Sequence, residues 1–110
     1  MKIAMSQAAS GLLRALLAQA GVPRNRILLT ELKSVDWQSL TFIGERHEVE
    51  LRIPPPVASE VERRLTSGLA EAEFRIPGQI VADIGLATEP QRDPDGSVTL
   101  RIEALTIAEG

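Results

Sequence analysis

Residues 39–53 read SLTFIGERHEVELRI, and the parsing of this stretch decides the fold. Gly44-Glu45 fits a two-residue reversal of the II′ kind, which wants glycine at its first central position. Such a reversal sets Ile43 against Arg46, Phe42 against His47, Thr41 against Glu48 and Leu40 against Val49. Side chains alternate faces along a strand. Leu40, Phe42, His47, Val49, Leu51 and Ile53 then share one side, and Thr41, Ile43, Arg46, Glu48, Glu50 and Arg52 the other. Turn chemistry and polarity pattern both predict a hairpin with one apolar face.

Upstream, residues 27–35 read as a strand with Leu28, Thr30 and Leu32 on one face, and residues 36–38 break its pattern. Before it, residues 6–20 place Met5, Ala9, Leu12, Leu13, Leu16, Leu17 and Ala20 on one helical stripe, with Gln7, Ser10 and Arg14 opposite. Gly21 and Pro23 supply the stop. This Leu-rich helix either covers the chain's own sheet or serves as an arm that docks on a protein partner.

Downstream, three prolines (Pro54, Pro55, Pro56) lead into a helix over 57–67 with Val57, Val61 and Leu65 as its stripe. Glu60 and Arg64 form an i,i+4 pair there, and Gly68 ends the helix. Phe74 and Ile76 suggest a short extra strand before Pro77-Gly78. Ile80, Ala82, Ile84 and Leu86 then alternate with Val81, Asp83 and Gly85. Asp93-Pro94-Asp95-Gly96 carries hairpin-turn residues and lacks the further oxygen ligands of a calcium loop. Val98, Leu100 and Ile102 alternate in a closing strand. The apolar phase moves to Leu105 and Ile107 at Ala104, which predicts a bulge or bend there.

These segments predict an α+β fold: a single twisted antiparallel sheet of five to six strands with two helices on one face, in the order α-β-β-β-α-β-β. At 110 residues one domain spanning 1–110 is expected. No run of residues approaches a membrane span. Gln7, Ser10 and Arg14 interrupt any apolar core of a secretory leader, so a cytoplasmic location is expected.

Composition narrows the chemistry. The chain has no Cys, which excludes thiolate zinc sites, disulfides and thiol nucleophiles. With one His, any serine or threonine triad must pass through His47. The dinucleotide and P-loop glycine patterns are missing, so no cofactor is expected. A net charge of −3 and 3% aromatic residues offer nucleic acid neither a basic groove nor a stacking platform.

His47, Asp83 and Trp37 are the candidate ligand-contacting groups: an imidazole beside an apolar face, a carboxylate within a strand, and a lone indole between strands. Ile27, Leu29, Ile43, Val81, Leu105 and Ile107 fall outside the main apolar phase and are the candidate interface residues. The reading these favour is a non-catalytic interaction or accessory module that self-associates through a sheet face, first as a dimer. The competing reading is a small-ligand binder or modest enzyme with a pocket near His47.

Overall fold

The computed structural model describes residues 5–109. Helix α1 (Gln7–Ala20) is followed by strands β1 (Leu28–Gln38) and β2 (Ile43–Ile53). Helix α2 (Ala58–Thr66) is followed by β3 (Gln79–Leu86), the two-residue β4 (Gln91–Arg92) and β5 (Val98–Ala108). The strands form one antiparallel sheet in the order β1-β2-β5-β3, with β4 beside β5. Each half is therefore a helix followed by two neighbouring strands, and the inner strands of the halves pair at the centre. The Phe74–Ile76 piece is no strand: Ile76 makes one isolated bridge to Gln79.

The helices take the expected segments because their ends are chemically marked. Ser6 caps α1 by accepting from Ala9 N–H at 3.0 Å, and Gly21 ends it in the left-handed region at φ 70°. Arg64 of α2, paired with Glu60 at 2.7 Å, also donates to the carbonyls of Ala20 and Gly21 at 3.2 Å each. One side chain thus satisfies two carbonyls that a helix end leaves without partners. Leu12, Leu13 and Leu16 of α1 and Val61 and Leu65 of α2 are buried against Val49, Leu51, Ile53, Val98, Leu100 and Ile102. Helix α1 is part of the core.

The hairpin expected within residues 39–53 does not form, and Gly44-Glu45 is not a turn: β2 runs through both residues and pairs instead with residues 28–38. Residues 39–42 make the reversal, and Trp37 opposes Gly44 within the ladder. Ser39 N–H donates to the Phe42 carbonyl at 2.9 Å, and Ser39 Oγ accepts from the Thr41 and Phe42 amides at 3.3 and 3.0 Å. A serine that can fold back on its own turn outcompetes the glycine, and the reward is two strands of eleven residues paired along their length. Residues 36–38 consequently continue β1, while Leu40 and Phe42 sit exposed at the tip. Gly44 has another role. A Cβ at this buried position would collide with the Thr106 carbonyl, so glycine lets β5 approach β2 there. His47, Val49, Leu51 and Ile53 are buried on the helix side as expected, because alternation within β2 is indifferent to where its turn lies.

Two bulges reset the outer strands. The β1–β2 register shifts between Leu29 and Glu31, and Thr30 Oγ1 donates to the Glu50 carbonyl and carboxylate at 3.1 and 2.8 Å. Leu29 and Leu32 therefore oppose Leu51 and Val49, rather than Leu28, Thr30 and Leu32 sharing a face. The β3–β5 register shifts between Val81 and Asp83. Ile80 consequently faces away from the helices, and Val81 and Ile84 face them. The expected irregularity at Ala104 is absent: β5 pairs with β2 without interruption from Ile107 to Val98. The change of phase in β5 is a change of what each face carries, and the bulge that accommodates it lies on β3.

Candidate functional site

The strand registers build the helix-free face row by row. Trp37, Gly44, Ile107 and Ile80 form one row across β1, β2, β5 and β3, and Val35, Arg46, Leu105 and Asp83 form the next. Farther from the tip come Lys33, Glu48, Glu103 and Gly85, then Glu31, Glu50 and Arg101. The face is thus apolar toward the 39–42 turn and charged beyond it. Ile80 is 53% exposed, whereas Leu105 is 9% exposed although no helix covers it. At the tip, Phe42 and Ile43 line a concavity together with Ile80 and Ile107.

The charged rows carry like charges directly opposite each other, Glu48 with Glu103 and Glu31 with Glu50. Such pairs are unfavourable unless opposite charge intervenes. Arg101 Nε meets Glu50 Oε2 at 2.8 Å, and Lys33 opposes Glu48 from β1. Lys33, Val35, Arg46, Glu48 and Glu103, with His47 and Ala104 between them on their strands, line a small cleft where the apolar and charged parts meet.

The candidate ligand-contacting residues do not converge. His47 is on the helix side, 1% exposed. Its Nδ1 lies 2.7 Å from Ser34 Oγ, and its Nε2 lies 2.8 Å from Thr106 Oγ1 and 3.9 Å from Glu45 Oε1. Burial pushes the imidazole below its ordinary pKa of 6.5, with the Glu45 charge pulling weakly the other way. A buried neutral ring with both nitrogens engaged binds its own fold. Asp83 and Trp37 lie on the opposite, helix-free face, in adjacent rows at opposite edges of the sheet. Among the described residues no group of three or more His, Asp and Glu is arranged to hold a metal ion, and no helix is long and apolar enough to cross a membrane.

The six candidate interface residues also separate. Leu105 and Ile107 are on the helix-free face. Ile27 is buried in the core, and Val81 packs against it. Leu29 is on the helix side of edge strand β1, and Ile43, 68% exposed, begins β2 beside the tip. Val35 and Ile80 belong to the same apolar rows: alternation from Leu32 places Val35 there, whereas the bulge that sets the face of Ile80 follows no turn residue in the sequence. Comparison with protein-family models, with curated proteins and with solved structures finds no match to this chain.

Proposed function

We propose that the chain is a non-catalytic interaction module that self-associates through the helix-free face of its sheet, two copies stacking these faces. The observation that carries this reading is the apolar row of Trp37, Ile107 and Ile80 over Gly44, backed by Val35 and Leu105, on a face that neither helix covers. Contiguous apolar patches beyond roughly a few hundred Å² are uncommon on monomers and mark interaction surfaces. The dimensions suit a second copy. Three strands of eleven residues and one of eight, at ~4.8 Å spacing and about 3.3 Å per residue, give a face of roughly 650 Å² with its charged rows included, of the order of the ~800 Å² each partner contributes to a standard interface. The charged rows beyond Arg46 serve as the polar rim that such interfaces keep.

The sole Trp makes the test direct. Trp37 is half-buried on the row in question, so association shifts its emission to shorter wavelength as concentration rises. Light scattering on a size-exclusion column then gives twice 11.9 kDa. Ile80→Asp and Ile107→Asp each restore the monomer mass. A wild type that stays monomeric, with concentration-independent emission up to the high micromolar range, overturns the reading.

A further inference from the structure

His47 closes a hydrogen-bonded chain that ties together an edge strand, a central strand and a helix start. Ser34 comes from β1, Thr106 from β5, and Glu45, near Nε2, accepts the Ser6 hydroxyl at 2.6 Å. Ser6 in turn caps α1. Among the described residues, the charged groups on this side of the strands are Glu45 on β2 and Asp36, which opposes it on β1. Ser34 and Thr106 are uncharged, and the first turn of α1 contributes no acid.

The arrangement dictates where protons sit. A carboxylate near Nε2 favours the N–H on that nitrogen, so Nε2 donates to Thr106 and Nδ1 accepts the Ser34 hydroxyl. A second proton has only Nδ1 to occupy. It reverses the Ser34 bond and spreads a positive charge over a ring that is 1% exposed, with the new N–H on the side away from Glu45. Hydrating that charge requires an opening. The strand beside Nδ1 is β1, which is paired to β2 alone, and Ser34 is exposed on it. Parting β1 from β2 around residues 32–36 is therefore the smallest movement that admits water.

We propose that His47 is an acid-sensitive latch: its second proton releases the 32–36 stretch of β1 from β2 and thereby weakens the outer-face association to which Val35 and Trp37 contribute. The release stands on the His47 geometry by itself, whereas its effect on association rests on the function proposed above.

Amide hydrogen exchange on the full chain at about pH 7.5 and about pH 5.5, corrected for intrinsic rates, tests the release. Protection over 32–36 falls at least about tenfold further than protection over 100–104 on the central strand. In His47→Gln the two stretches keep a constant ratio. In the wild type the loss follows the titration of the His47 ring signals by NMR, a readout that does not depend on the variant folding. A loss spread evenly over β1 and β5, or one that ignores the ring titration, overturns the latch. Dilution of Trp37 emission at both pH values tests the coupling. Weaker association at the lower pH supports it, and equal association at both overturns it. A monomer at both pH values sinks the self-association reading while the exchange result still decides the latch.

Discussion

The two faces of this sheet are made by the same strands and obey different rules. On the helix side, His47, Val49, Leu51 and Ile53 alternate into a core closed by α1 and α2. On the other side, the same strands present one apolar end and a field of charges with nothing laid over it. A side chain on the first face is fixed by what packs on it, so its removal leaves a hole. A side chain on the second face meets its row neighbours and, except at Leu105, solvent. The contrast teaches that the cost of a substitution can be assigned face by face along one strand.

The largest expected effect tests the covered face. Leu51→Ala, at a fully buried position, costs about 2–5 kcal/mol in urea unfolding. The exposed Val35→Ala on the other face costs less than ~1 kcal/mol. Similar losses at both positions would erase the distinction between the faces. A second pair sharpens it using glycine alone. Gly44→Ala drives a Cβ against the Thr106 carbonyl, a backbone atom that cannot swing aside, and costs roughly 1–3 kcal/mol. Gly85→Ala, where a Cβ meets no atom within 4 Å, is neutral or slightly stabilising by the same unfolding assay. Third in size is Ser6→Ala, which removes the N-cap of α1 and costs about 1 kcal/mol, read as a lower melting temperature.

The covered face was legible in the sequence and the open face only in part, for a physical reason. Burial rewards the right alternation at every second residue, so β2 can be read from its own pattern even when its turn is misplaced. Gly44-Glu45 looked like the reversal because glycine suits both a turn and a close strand approach, and only the neighbouring strand tells which. Ser39, whose hydroxyl organises the real turn, is an unremarkable letter in a polar stretch. Bulges were harder still. The extra residues Thr30 and Ala82 interrupt strands whose composition continues smoothly through them, so alternation groups Leu28 with Leu32 and Ile80 with Ile84, which the bulges place on opposite faces. Leu105 and Ile107 were correctly separated from the core phase because their own strand carries the change. The local cause assigned to that change was displaced onto β3. The His47 network was half visible: its burial followed from alternation, whereas Ser34 and Thr106 are brought to it by pairing with two different strands.

The covered face also has a pH signature. The folded His47 pKa lies below the ordinary 6.5 because burial penalises the charged ring, so the unfolded chain binds a proton in a range where the native chain does not. Stability is therefore complete above 6.5 and declines as pH falls from 6.5 toward the lower folded value. The difference in urea midpoint between wild type and His47→Gln should shrink over that window and stay constant above it. A difference independent of pH would mean that the ring is no harder to charge in the native state than in the unfolded one.

The smallest expected change in stability falls on the residue that should matter most for association. Ile80 is half-exposed at the end of the apolar row, and its face is set by the bulge at Ala82. Ile80→Asp removes little buried area and places a carboxylate in solvent, so the unfolding free energy of the monomer moves by no more than about 0.5 kcal/mol. The same carboxylate, stacked against a second copy, would be stripped of water beside the apolar row and near Asp83 in the next row. That desolvation has no compensating partner, which makes the substitution nearly silent for folding and severe for assembly. Equilibrium sedimentation of the variant, paired with its urea curve, separates the two effects. Loss of the dimer at an unchanged unfolding midpoint assigns Ile80 to recognition. A shifted midpoint at unchanged mass would return Ile80 to the core and reduce the open face to a solvated surface.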